Sequence, residues 1–181
     1  MIIPDVLNSG AANPIVFNGN GRTISFLSTS STERAGIKIN GADHVTINNF
    51  VITATGTSTT EYGFGIQVLG DADNTQLLNN VININNSSTS ANYSGIAIGG
   101  TATGAAATGS NTDNTLVSGN TVRGGNYGIR VEIPYGVVTM ALACMVHQEQ
   151  ATWSTTTRSS ITLLPTRMKK AFMWRIPIIP W

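Results

Sequence analysis

Apolar residues in the first 134 positions come in short runs with a period of two. In "GIKI" (36–39), Ile37 and Ile39 fall on one side and Lys38 on the other. In "GIQV" (65–68), Ile66 and Val68 take one side and Gln67 the other. That alternation is the signature of a strand with one buried face. Helical spacing of apolar residues does not survive the density of Gly, Thr and Asn in this stretch. The predicted elements are therefore short strands separated by Gly/Asn/Thr turns.

The strands repeat. "GIKI" at Gly36 returns as "GIQV" at Gly65, "GIAI" at Gly95 and "GIRV" at Gly128. A second strand returns as "DHVTINNFVI" from Asp43, "DNTQLLNNVI" from Asp73 and "DNTLVSGNTV" from Asp113. Start-to-start spacing is 30 and then 40 residues, and the surplus falls in "GGTATGAAATGSN" (99–111), which reads as an inserted loop. An earlier partial copy lies in "NPIVFNGNGRTISFLS" (13–28). Strands this short cannot bury an apolar face alone, but stacking each copy on the next builds a continuous core and pairs the strands in parallel. No segment supplies the crossover helices of a βαβ sheet. The fold class expected is all-β: a single-stranded right-handed parallel β-helix of about four three-sided coils over residues 13–133. Two inward ladders follow, Ile37–Ile66–Ile96–Ile129 and Ile47–Leu77–Val117. The paired asparagines align too, Asn49 with Asn79 and Asn80 with Asn120. At a bend they tolerate left-handed backbone and bond the next coil, so an asparagine ladder at a coil corner is expected.

Composition divides the chain at about residue 134. Residues 1–134 hold every asparagine and aspartate and 18 of the 19 glycines, with five basic and eight acidic residues, net −3. Residues 135–181 hold all three tryptophans, Cys144 and four of the five methionines, with five basic and one acidic residue, net +4. The domain division is accordingly 1–134 for the β-helix repeats and 135–181 for an atypical tail. Shifted by two nucleotides, "TMALACMV" can encode "NGIGVYG" and "ATWSTTTRSSI" can encode "NMVNNNTIIN". The preferred reading of the tail is a frameshift or aberrant fusion, and a native cap over the last coil is the alternative.

The pattern "GI-x-[IV] … D-x-[VT]-x-[IL]-x-N-N-x-I" resembles the right-handed parallel β-helix repeat of the pectate lyase-like superfamily. More narrowly, "NPIVFNGNGRTISF", "AGIKINGADHVTINNFVI" and "YGFGIQV" look like repeat-rich secreted surface proteins of Bacteroidetes-type bacteria. Those usually reach the surface through a C-terminal type IX secretion signal. The resemblance implies a secreted or cell-surface location, although "MIIPDVLNSG" lacks the features of a signal peptide. It specifies a fold rather than an activity, because the superfamily hosts lyases, hydrolases, adhesins and plain stalks.

In lyases of this fold, a polysaccharide groove runs along the outer face of the first strand. A calcium ion held by acids neutralises the uronate there, and an Arg or Lys abstracts the α-proton. The corresponding outward column here is Lys38, Gln67, Ala97 and Arg130. The resemblance thus nominates Lys38, Arg130 and Arg123 for catalysis, and Lys38, Gln67 and Arg130 for substrate binding. For calcium it nominates Asp43, Asp71, Asp73 and Asp113. Turn capping is the commoner role for one aspartate per coil, Lys38 and Arg130 lie three coils apart, and a solvated surface is the plainer reading of both.

Other chemistry finds little support. His44 is the single histidine before the tail, so a histidine-based metal site or triad has no partner. "GFG" (63–65) precedes a strand rather than a helix, so it is no dinucleotide fingerprint. Asp71 and Asp73 share one turn instead of facing each other across a glycosidase groove. Asn86-Ser-Ser and Asn92-Tyr-Ser match the glycosylation sequon, which the bacterial origin implied by the resemblance would make irrelevant. A net charge of +1 with 10% charged residues implies no nucleic-acid partner, and no window approaches a membrane span. An ice-binding face would need a flat threonine array that the outward column does not provide.

The function expected is a non-catalytic module of a secreted or cell-surface protein, structural, adhesive or carbohydrate-binding. The alternative is a fragment of a calcium-dependent polysaccharide lyase or of a hydrolase. No cofactor is expected apart from that calcium. The partner expected is a polysaccharide or surface glycan, with edge-to-edge self-association through uncapped end coils as a further prospect.

Overall fold

The computed structural model describes residues 1–85, 89–99, 101–104 and 112–132 with their side chains, and 137–141, 145–147 and 160–164 as backbone. Strands follow one another in a three-beat order. The first coil holds β1 (Ile2–Pro4), β2 (Ile15–Asn18) and β3 (Thr23–Phe26). The second holds β4 (Ala35–Asn40), β5 (Val45–Asn48) and β6 (Val51–Ala54). The third holds β7 (Gly63–Leu69), β8 (Gln76–Leu78) and β9 (Val81–Asn83), and the fourth β10 (Tyr93–Ile98), β11 (Thr115–Ser118) and β12 (Thr121–Arg123). The strands β13 (Tyr127–Val131), β14 (Val137–Ala141) and β15 (Met145–His147) form a fifth, and β16 (Ser160–Leu164) adds to β14.

From β1 to β15, every third strand pairs in parallel with its counterpart. The first sheet runs β1-β4-β7-β10-β13, the second β16-β14-β11-β8-β5-β2 and the third β15-β12-β9-β6-β3. This is the expected parallel β-helix, all-β among the described residues. Its beginning lies earlier than the repeat suggested, because Ile2–Pro4 already forms a first-sheet strand. Strands β14 to β16 fall inside the segment read as an atypical tail and extend the second and third sheets. The rest of 135–181, the Asn86-Ser-Ser sequon and most of the 99–111 loop lie outside the described residues.

Both inward ladders stand in register. Ile37 pairs with Ile66, Ile66 with Ile96, and Ile96 with Ile129. Phe17, Ile47, Leu77 and Val117 form the second. Ile37, Ile47, Ile66, Leu77 and Ile96 are fully buried in one continuous core. Burying side chains of this size contributes about 1.5–3 kcal/mol each, which the short strands could not gain singly.

The first sheet departs from strict alternation at one place. Gly36, Gly65 and Gly95 precede the inward isoleucines, yet they too face the core. A β-carbon at Gly65 would collide with the Ile82 side chain and the Gly95 carbonyl. One at Gly95 would collide with Val122 and the Gly128 carbonyl. The glycine of each "GI" is therefore a lane without side chains against which the third sheet packs.

Two corners carry stacked polar side chains. Between the second and third sheets, Asn49 and Asn79 adopt the left-handed backbone (φ 56° and 52°), with Gly119 (φ 68°) at the same step. The next residue makes the ladder. Asn80 accepts from the Phe50 amide at 3.0 Å and donates to the Ile47 carbonyl at 3.0 Å. Asn120 accepts from both the backbone and the side chain of Asn80 at 2.9 Å and donates to the Leu77 carbonyl at 2.7 Å. The asparagine ladder is thus real, and Phe50 occupies its first rung.

Candidate functional site

Register brings the outward column of the first sheet together as predicted: Lys38 beside Gln67, Gln67 beside Ala97, and Ala97 beside Arg130. Its environment differs from the solvated face that was expected. Lys38 is 7% exposed, Gln67 0% and Ala97 1%. Segments between the strands cover the column. Lys38 Nζ donates to the Thr32 carbonyl at 2.9 Å and pairs with Glu33 Oε1 at 3.2 Å. Gln67 Nε2 donates to the Thr101 carbonyl at 2.9 Å, so the start of the 99–111 loop is tied to the sheet. Arg130 pairs with the buried Glu132 at 2.6 Å and lies over the Tyr127 ring, 4.3 Å from its centroid. Two polar atoms of the column, Gln67 Oε1 and Arg130 Nε, are buried and unpaired.

The nominated bases do not converge. Lys38 and Arg130 stand three strand spacings apart, about 14 Å along the axis. Arg123 belongs to the third sheet, where it is exposed and donates to Asn83 Oδ1 at 3.4 Å. Asn83 in turn reaches Thr53 Oγ1 at 3.5 Å, giving a solvent-facing polar row on a different side of the molecule.

The aspartates occupy the corner between the first and second sheets. Asp43 Oδ1 accepts the Asp73 amide at 2.9 Å, and Asp73 Oδ1 accepts the Asp113 amide at 2.6 Å. Each carboxylate is turned toward the backbone of the following coil, which is the turn-capping role. Asp71 is exposed in the left-handed region (φ 66°), and His44 is half-buried with φ 53°. Among the described residues no group of three or more His, Cys, Asp and Glu is placed to hold a metal ion. The donor set does not fit a calcium cage, which needs several oxygens converging on one centre. Burial, opposed by the Asp113 amide and reinforced by Asp71, Asp113 and Asp43, pushes the Asp73 carboxyl above its usual range.

Residues outside the nominated set do much of the positioning. Arg34 is buried, lies 4.2 Å from the Tyr62 ring centroid, and donates to the Ser31 carbonyl and to Asn92 Oδ1. It ties together three stacked segments between the third and first sheets. Glu61 holds the amides of Thr57 and Ser58 at 2.7 and 2.9 Å, which lowers its pKa. The signal for these residues is the recurrence of Thr-Glu at 32–33 and 60–61, just ahead of the "GI" strands.

No protein-family model matches the chain, and neither a curated protein nor a solved structure matches it.

Proposed function

We propose that this protein is a non-catalytic β-helix module of a secreted or cell-surface protein, serving as a rigid structural or adhesive element. The observation that carries this reading is where the chemically capable side chains spend their bonds. Asp43 and Asp73 hold amides of the next coil, Lys38 is held by Glu33 and Thr32, and Arg130 by Glu132. The aspartates join coils, Lys38 fastens the segment that precedes its own strand, and Arg130 is held by a carboxylate two residues along its own chain. General acid–base catalysis needs groups within hydrogen-bond reach of one reacting centre, and these groups face different neighbours. The likeness of the repeat to Bacteroidetes-type surface proteins supports the surface location, with a glycan as the surface recognised, whereas the likeness to the pectate lyase-like superfamily bears on the fold and equally accommodates the lyase alternative.

Two measurements test this. Incubation with pectate, alginate and related polymers, with and without calcium, is expected to give no rise in ultraviolet absorbance from unsaturated product. Calcium-dependent product formation, abolished by Lys38→Ala or Arg130→Ala, would replace the proposal with the lyase reading. Co-sedimentation with insoluble polysaccharides reads the adhesive role separately. Retention that survives Asp73→Asn and falls with Arg123→Ala would locate contact on the third sheet.

A further inference from the structure

The sequence contains three Asn-Gly pairs, Asn18-Gly19, Asn20-Gly21 and Asn40-Gly41. Asn-Gly is the dipeptide most open to intramolecular deamidation, because glycine presents no side chain to hinder attack by its own amide nitrogen. All three asparagines are solvent-exposed. In each case, however, the attacking nitrogen is engaged. The Gly19 amide donates to the Asn48 carbonyl at 2.8 Å, Gly21 to Asn49 at 2.7 Å, and Gly41 to Leu69 at 2.9 Å. Every acceptor belongs to the following coil. The same bonds that stack the coils occupy the three nucleophiles.

We propose that Asn18, Asn20 and Asn40 are deamidation sites gated by coil stacking, with Asn20 the first to react. In the reaction, base removes the Gly21 amide proton and the nitrogen attacks Asn20 Cγ. The Cγ–Nδ2 bond breaks, ammonia leaves, and water opens the resulting succinimide to aspartate or isoaspartate. Nothing is oxidised or reduced, and water is the sole co-reactant.

The order of reaction follows from the structure. Asn20 has a left-handed backbone (φ 48°), and one inter-coil bond restrains its partner nitrogen. Asn18 is restrained further, because its Oδ1 accepts the Asn20 amide at 3.2 Å. Asn40 lies in the second coil, packed between the first and third, so freeing Gly41 requires inner coils to part. The first coil is packed against β4–β6 on one side of its ladders, and local opening begins where contacts are fewest. Isoaspartate at position 20 lengthens the backbone within the turn that carries Gly21 to Asn49. It also sets a carboxylate beside Arg22.

The test incubates the full chain at mildly alkaline pH and maps each site by mass spectrometry with isoaspartate detection. Native buffer is compared with denaturing urea. In urea the three sites should convert at similar rates. In native buffer all three should slow by about tenfold or more, in the order Asn20, Asn18, Asn40. Asn20→Gln should remove the leading product and leave the other two rates unchanged. The Phe50 ring lies against Gly19, where a β-carbon would sit 2.5 Å from it. Phe50→Ala should therefore speed Asn18 and Asn20 without affecting Asn40. Should that variant misfold, a series of sub-denaturing urea concentrations on the unaltered chain reads the same order. Equal native and unfolded rates at Asn20, or Asn40 reacting first, would overturn the proposal.

Discussion

Two corners of each coil are built from stacked polar side chains, and they solve the same problem with different chemistry. At the corner between the second and third sheets the rungs are amides, which donate and accept at once. Asn120 therefore satisfies two groups of Asn80 and the Leu77 carbonyl together. Both asparagines are completely buried. At the corner between the first and second sheets the rungs are carboxylates, which only accept. Each fastens the next amide but brings its charge close to the next carboxylate, and the corner stays partly open to water. The raised pKa of Asp73 is the mark of that compromise. An amide column tolerates full burial, whereas a carboxylate column needs solvent to remain charged.

Exchanging the two chemistries tests the contrast. Asn80→Asp places an acceptor where Nδ2 donates to the Ile47 carbonyl and to Asn120 Oδ1. Urea unfolding at neutral pH should show a loss of about 3–5 kcal/mol, as for a buried charge left without a partner. A loss as small as that of any aspartate-corner variant would break the comparison. Asn120→Ala leaves the Asn80 backbone amide and one of its side-chain N–H groups without the Asn120 acceptor, and about 2 kcal/mol or more should go. At the other corner, Asp73→Ala removes one acceptor from a half-exposed turn and also a poorly solvated charge. The net loss in thermal or urea unfolding should stay below about 1 kcal/mol.

The smallest effect sharpens the contrast most. Asp73→Asn keeps an oxygen for the Asp113 amide and removes the charge, so at neutral pH it should leave stability unchanged or slightly raised. The sign with pH is fixed by linkage. A carboxyl whose folded pKa is raised disfavours the folded state when ionised, so the unaltered protein regains stability as pH falls through the folded value toward the ordinary 3.8. The variant lacks that gain. The advantage of Asp73→Asn should therefore shrink as pH falls through that window, and a difference that grows on acidification would contradict the assignment.

Much of this arrangement was legible from residue order. The isoleucine ladders follow from "GI-x-[IV]" alone, and the asparagine ladder from the alignment of Asn80 with Asn120, because both lie in short segments that recur without a gap whatever the length between them. What escaped prediction depends on contacts made outside those segments. β1 has neither the glycine nor the spacing of the later copies, and pairing with β4 alone identifies it. Lys38 and Gln67 read as surface residues because Glu33 and Thr101, which cover them, come from segments outside the repeat. Arg123 is nominated for catalysis beside Arg130, and the two belong to different sheets. Periodicity reports the core, and the connecting segments decide what the outside of each coil becomes.

The glycine lane of the first sheet has a consequence for how such a chain grows. Because Gly36, Gly65 and Gly95 leave no room for a β-carbon, the cross-section at that level is held at one size from coil to coil. A coil can be duplicated whole, since a copied "GI" brings its own vacancy to the lane and meets neighbours identical to those it left. A residue inserted within the strand would put a side chain where the third sheet already stands. Gene-level variation in length should therefore fall into two kinds, whole added coils and additions to the connecting segments, as between Gly99 and Thr112. The molecule is free to lengthen along its axis and to grow loops at its corners, but not to widen.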